Sequence, residues 1–535
     1  MLSEKSLSRE FTDLNADSYP QKAYRKLPAD FTWGSATAAY QVEGAFDEDG
    51  RTASIWDTFS KQEGKVIDGS NGDVAVDQYH RYEEDAALLN KFGAKAYRMS
   101  LSWSRILPEG KKNSPINPLA IAHYRKVFET LLAKKVVPWV TLYHWDLPQC
   151  LQDEYDGFLN TDRLVEDFNY YAEVCFKEFG DLVKNWMTFN EPHTYCKLGF
   201  GYDGPHAPGR TDDRSRHTHG DPGTEVWITG HTTLLAHATA VNTFRTKYHH
   251  QNGRISIALN SDWFEPQTND EKDVAAATRR LDFMLGWFAD PIYLSGDYPI
   301  SMKAQLGDRL PRFTPEQSKL VLVGSCDYFA LNSYTSMYVK DSGVDVPDHN
   351  DIDGNNIATE FDVNGNLIGN KGEAFWLFDC AWGFKKLLKH IKNRYNNPEV
   401  HITENGFCVQ NETSVEKAQH DYERIHYYHG YLSSVVDCIV DHQCNIKGYF
   451  AWSLLDNFEW ARGYTERFGI TFVNFENQER TPKDSFKFLS NFFHKSIRNP
   501  AGLKTVVTNV TKRTVTEPGK TTYITKTVTT TTVAL

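Results

Sequence analysis

The chain has 535 residues, 40% hydrophobic and 13% aromatic, enough to bury a sizeable core. Its 58 Lys and Arg against 70 Asp and Glu give a formal net charge of −12, which excludes the basic footprint of a nucleic-acid-binding protein. The 8 cysteines are scattered without a C-x-x-C pair and read as reduced, buried thiols rather than a disulfide framework.

Residues 1–27 are polar and irregular and read as an N-terminal extension. They contain no apolar segment of the kind a secretory signal needs, and no run of about 18 apolar residues occurs to span a bilayer. The expectation is a soluble cytoplasmic protein with no membrane partner.

From Phe31 onward, strand-like runs recur, each followed by a helical pattern. They cover 31–41, 94–103, 136–145, 183–191, 254–263, 327–335, 399–404 and 446–453. Runs such as VVPWVTLY are near-continuously apolar, as strands buried on both faces are. Eight β–α alternations predict a (β/α)8 TIM barrel over 28–497, a single domain with long βα loops. A doubly wound open sheet is the other α/β architecture, but no G-x-G-x-x-G follows the first run. Polar residues gather at the C-terminal ends of the runs: Gln41, Arg98, His144, Asn190, Glu191, Asn332 and Glu404. In a barrel those ends share one face, the face that carries active sites.

Residues 341–373, rich in Asp, Asn and Gly, read as a long solvated loop. Asp351, Asp353 and Asn355 echo a calcium loop, but Asn356 stands where such a loop needs Gly. The Thr/Val-rich segment 498–535 has high β-propensity without an evident turn or partner strand, and reads as a disordered tail. The histidines lack ligand sets at zinc-like spacing, so neither metal nor cofactor is expected.

Two carboxylates stand out. Glu191 lies in Thr188-Phe189-Asn190-Glu191-Pro192 at the end of the fourth run, and Glu404 in Ile402-Thr403-Glu404-Asn405-Gly406 at the end of the seventh, where Gly406 would let the chain turn tightly. A barrel places them across one mouth from each other. Glycoside hydrolysis needs such a pair, one ionised and one protonated. Arg98 and Tyr334 are suited to hold Glu404 as a carboxylate.

With these motifs the chain resembles glycoside hydrolase family 1, the β-glucosidases and their relatives, most closely in the style of fungal intracellular members. The resemblance covers roughly 27–497. It rests on FTWGSATAAYQVEGA (31–45), RMSLSWSRI (98–106), YHWDLPQ (143–149), TFNEP (188–192), HAPG (206–209), ITENG (402–406) and YFAWSLLDNFEW (449–460), in family order. It implies Glu191 as acid/base and Glu404 as nucleophile, with Arg98, Asn332 and Tyr334 supporting the nucleophile. It implies Gln41, His144, Trp145, Asn190, Trp452, Glu459 and Trp460 as sugar-binding residues, Phe468 as closing the pocket, and Trp376 as a platform for the leaving group. Glu459 disfavours the phospho-glycosidase branch, because a carboxylate repels a phosphate. Glu191 separates the chain from the myrosinases, which carry Gln there. The chain departs from the pattern at Ser333, where an aromatic residue or His is commoner, and at Ala381, often Pro. The implied activity is retaining hydrolysis of terminal β-D-glucosyl residues from cellobiose, short cello-oligosaccharides and aryl or alkyl β-glucosides, with transglycosylation to acceptors. A catalytically silent sugar-binding scaffold on the same fold is the competing reading.

Overall fold

The computed structural model describes residues 14, 17–322, 325–498, 503–514 and 524–534. Eight parallel strands close into a barrel: β1 (Thr32–Ala36), β2 (Ala96–Ser100), β3 (Val137–Tyr143), β4 (Asn185–Asn190), β5 (Arg254–Asn260), β6 (Phe329–Asn332), β7 (Val400–Asn405) and β8 (Ile446–Trp452). Seven of the strands lie inside the runs read from the sequence, and β7 extends one residue past its run, to Asn405. Strand order follows chain order, and β8 pairs with β1 to close the ring. The strands are buried along nearly their whole length, since helices cover the outside and side chains fill the inside. The lower interior holds aromatic rings from several strands: Trp139 stands 5.4 Å from Tyr328, 4.8 Å from His401 and 5.2 Å from Phe450. This packed floor leaves only the upper, C-terminal end of the barrel for chemistry.

The helices begin where their sequences provide caps. Asn117 accepts from the Leu119 amide with Pro118 as first helical residue, Asn160 accepts from Arg163, and Asp221 from Gly223 ahead of Pro222–Lys247. Ala381 opens the helix Ala381–Arg394. That is a position where Pro is also well tolerated, so this departure leaves the helix start intact.

Four expectations are corrected. Gln41 does not end a strand; it sits in a short helix, Ala39–Val42, after β1. The extension is not separate from the barrel from residue 17 onward. Ala23 and Leu27 are buried, Leu27 bridges Ile497, and Tyr19 hydrogen-bonds Ser496 at 3.0 Å, because the two ends of the domain meet on one side. Segment 341–373 is not one solvated loop. Asn356–Thr359 pairs antiparallel with Ser336–Asp341, and Asp353 forms ion pairs with Lys197 and Arg280, both at 2.7 Å. Asp353 therefore faces two cationic side chains, not a calcium ion. In the tail, Leu503–Thr514 and Ile524–Ala534 pair antiparallel, so the segment has a partner strand, itself. β-Branched Thr and Val favour extended backbone, and Pro518-Gly519, between the two strands in sequence, is a turn signal. The first residues of the chain lie outside those described.

Candidate active site

The two carboxylates are delivered by breaks in strand register. The pairing of β4 with β5 shifts between Met187 and Asn190, and that of β7 with β6 shifts between Ile402 and Glu404. Such irregularities re-aim the side chains that follow them. Glu191 itself adopts a left-handed backbone (φ 45°, ψ 62°) as it passes into the helix Pro192–Phe200. That conformation costs on the order of 1–3 kcal/mol for a non-glycine residue and recurs at functional sites. Its amide is held by the Ala258 carbonyl at 2.9 Å. After Glu404, Gly406 is not among the glycines with a left-handed backbone. Its need for glycine is space: a Cβ there would stand 1.9 Å from the Trp452 carbonyl oxygen.

The surroundings of the two carboxyls differ in kind. Glu404 is gripped by charge and by a phenol: Arg98 Nη1 donates to Oε1, and Tyr334 Oη donates to Oε2 at 2.7 Å. Burial, and next the charge of Glu404, push the Tyr334 phenol well above its ordinary pKa, so it stays a donor. Among the described residues, no cation lies on the oxygens of Glu191. Asn332 Nδ2 donates to Oε1 at 2.8 Å and the Thr194 hydroxyl meets Oε2 at 2.8 Å, itself backed by Asn260 at 2.9 Å. Burial first, then the charge of Glu404, raise the Glu191 carboxyl to about 8, against the smaller opposing effect of these donors. At neutral pH this carboxyl holds its proton.

Asn190 stitches the two halves together. Its Oδ1 accepts from Arg98 Nη2 at 2.5 Å and from Asn332 Nδ2 at 3.0 Å. Its Nδ2 must therefore be the atom that donates to His144 Nε2 at 3.0 Å. Burial holds the His144 imidazole well below its ordinary pKa, so the ring is neutral. With Nε2 accepting, the hydrogen lies on Nδ1, which has no partner among the described residues.

The remaining predicted residues surround this centre. Gln41 donates to Asn457 Oδ1 at 3.0 Å and to the Phe458 carbonyl at 2.9 Å, and reaches Glu459 at 3.5 Å. Its Oε1 and the Glu459 Oε1 have no protein partner among the described residues. Burial, then the charge of Glu466, raise the Glu459 carboxyl well above its usual range, opposed by a hydrogen bond from Trp452. The His144 ring lies nearly parallel to both Trp452 and Trp460, each 5.9 Å away. Trp145 backs Trp460 at 4.7 Å and commits its indole nitrogen to the Asn190 carbonyl at 2.9 Å. Phe468 and Trp376 stack at 6.3 Å, and both stand edge-on to Tyr334.

One role is corrected. Asn332 supports the acid/base candidate Glu191, not Glu404: its Nδ2 points to Glu191 while its Oδ1 accepts from Thr403 at 2.7 Å. Asp456, three residues before Glu459, does not face the cleft: it is fully buried between Lys483 (3.0 Å) and Arg467 (2.8 Å). Thr194, Asn260 and Asn457 were missed. Thr194 had a signal, three residues after Glu191 at the start of a helix, where side chains meet. Asn260 and Asn457 had none beyond their places near strand ends.

A sequence model described as "Glycosyl hydrolase family 1" matches residues 23–497. The chain belongs to glycosyl hydrolase family 1. This family 1 hydrolase is 50% identical over 471 residues to β-glucosidase 1B of Phanerodontia chrysosporium, covering 88% of this chain and 86% of the relative. It is 46% identical to β-glucosidase 40 of Arabidopsis thaliana, covering 88% and 93%. Among solved structures, it is similar to a family 1 β-glucosidase from Humicola insolens in complex with glucose, with a TM-score of 0.86 and 46% identity, covering 88% of this chain and 99% of that one. It is also similar to a rice β-glucosidase mutant in a covalent complex with Glc, with a TM-score of 0.84 and 45% identity, covering 87% and 98%. Among the described residues of the hydrolase, no helix is long and apolar enough to cross a membrane.

Proposed function

We propose that this enzyme is a retaining β-glucosidase that removes terminal non-reducing β-D-glucosyl residues, with Glu404 as nucleophile and Glu191 as acid/base. The observation that carries the reading is the contrast between the carboxyls: Glu404 lies against Arg98 and Tyr334, while Glu191 is raised to about 8 by burial and by Glu404. In the first step, Glu404 attacks the anomeric carbon as Glu191 gives its proton to the departing glycosidic oxygen. A glycosyl ester on Glu404 carries no charge. The part of the Glu191 shift caused by that charge is then relieved, its pKa falls, and it takes a proton from water attacking the ester. A sugar acceptor in place of that water gives transglycosylation.

The sugar-binding assignments follow from the available hydrogen-bonding atoms. Gln41 Oε1 is an acceptor and Glu459 Oε1 a carboxyl oxygen free for neighbouring hydroxyls, and His144 Nδ1 is a donor. Trp452 and Trp460 offer apolar faces to the C–H side of the ring. Trp376, half-buried beside Phe468, is placed to support the leaving group, and cellobiose, short cello-oligosaccharides and aryl or alkyl β-glucosides are the substrates proposed. The test is hydrolysis of 4-nitrophenyl β-D-glucoside followed by proton NMR of the sugar. β-Glucose released first supports retention. α-Glucose released first would remove Glu404 from the nucleophile role.

A further inference from the structure

Far from the carboxylates, the lower rim of the barrel holds two thiols that the glycosidase chemistry does not use. The helix Tyr422–Val440 ends two residues after Cys438, and the chain turns through Asp441, His442 and Gln443 to reach Cys444, just ahead of β8. The Cys444 amide donates to the Cys438 carbonyl at 2.9 Å. A single backbone hydrogen bond of that length keeps the two Cα atoms within about 7 Å, near the upper reach of a disulfide. Both residues are buried and free, and each thiol is the leading influence on the other's pKa.

The two sulfurs are not equivalent. The neighbouring Cys438 thiol holds the Cys444 thiol below its usual pKa against the effect of burial, and Lys392 and Lys389 add to the lowering. The same interaction, with burial, holds Cys438 as the protonated partner. Cys444 keeps a trace of exposure (5%) next to exposed Gln443 in the chain, whereas Cys438 has none and its thiol meets the Lys385 carbonyl at 3.7 Å. One sulfur is therefore the nucleophile and the other is positioned to resolve it.

We infer that Cys438 and Cys444 form a peroxide-oxidisable pair that closes a disulfide between the end of this helix and the start of β8. The Cys444 thiolate attacks the O–O bond of hydrogen peroxide, forming the sulfenic acid and releasing hydroxide. Cys438 then attacks that sulfur: the S–S bond forms, the S–O bond breaks, and the Cys438 proton leaves with the oxygen as water. Two thiols give up two electrons to one peroxide, and two waters result. The bond ties a helix terminus to the strand that carries Trp452 at its other end, so it stiffens the barrel base while leaving the catalytic face unaltered.

The experiment uses the full chain. Trypsin releases both cysteines in one peptide, 425–447, since no Lys or Arg lies between Arg424 and Lys447. After hydrogen peroxide treatment and alkylation, that peptide is expected lighter by two hydrogens and unalkylated, and dithiothreitol returns it to the doubly alkylated form. In Cys438→Ser, dimedone is expected to trap the sulfenic acid on Cys444. The oxidised wild type is expected to melt a few degrees higher with kcat unchanged. Persistent alkylation of both cysteines after peroxide overturns the inference, as does direct passage to sulfinic acid without the disulfide.

Discussion

Asn332 Nδ2 lies 2.8 Å from Oε1 of Glu191, and this bond joins the acid/base carboxyl to the asparagine that also receives Arg98. A donor on a carboxylate favours its ionised form, so Asn332 moderates the upward shift that burial imposes. The alkaline limb of kcat/KM is expected near pH 8 in the wild type, because activity requires Glu191 protonated. In Asn332→Ala the limb is expected to move to higher pH, with a lower plateau. A pH–rate profile on 4-nitrophenyl β-D-glucoside reads both.

Replacing the nucleophile is the most severe change. Glu404→Gln retains the side-chain volume beside Arg98 but cannot form the ester. Loss of kcat by at least about three orders of magnitude is expected, with the fold intact by circular dichroism. Residual turnover within tenfold of wild type would exclude Glu404 as the nucleophile.

Tyr334→Phe separates the two steps. The phenol donates to Glu404 at 2.7 Å, a bond to a charged group worth about 1.5–3 kcal/mol. In the first step this bond restrains the attacking carboxylate; in the second it stabilises the same carboxylate as it departs. With a substrate whose leaving group departs easily, kcat reports the second step and is expected to fall more than kcat/KM does. Equal loss in both would mean that Tyr334 acts only on binding geometry.

Glu191 also carries a stability cost. Its folded pKa of about 8 lies above the usual carboxylate value of 4.5, so the native state holds a proton that the unfolded chain releases between those pH values. Stability from this group is fully present below about pH 4.5 and is lost as pH rises toward 8, by about 1.4 kcal/mol per pH unit. Glu191→Gln removes the titration. The variant is expected to be nearly inactive yet to melt higher than wild type, with the gap wider at pH 8 than at pH 5. Melting scans at fixed rate at both pH values test the sign.

The Asn356–Thr359 region is anchored by Asp353 between Lys197 and Arg280. Lys197 belongs to the helix that begins beside Glu191. Burial pushes the Asp353 carboxyl up, but Arg280 and Lys197 together outweigh it and hold the group below its usual range, so its contribution is present above about pH 4 and lost as pH falls. Asp353→Asn leaves two largely buried cations without their partner. A destabilisation of about 3 kcal/mol is expected by urea titration, together with a raised KM for bulky aglycones.

The amino-acid sequence by itself determined the strands and the chemistry-bearing motifs. Runs of apolar residues at strand length mark segments buried on both faces, and Glu191 and Glu404 stand at the ends of two of them, so the barrel and its paired carboxylates were legible from local pattern. The TFNEP and ITENG motifs carried the family resemblance. Tertiary structure decided which atom meets which. Nothing in local sequence tells Asn332 to donate to Glu191 rather than Glu404, because that choice depends on the register shifts of β4 and β7 and on Thr403 and Asn190 claiming its other contacts. The same holds for Asp456, which Lys483 and Arg467 draw into the core, and for Cys438 and Cys444, whose turn brings two thiols together. Periodicity reports burial, which is a property of one segment. Hydrogen-bond partners, ion pairs and pKa shifts arise between segments from a few to hundreds of residues apart, and only the folded chain brings those within reach of one another.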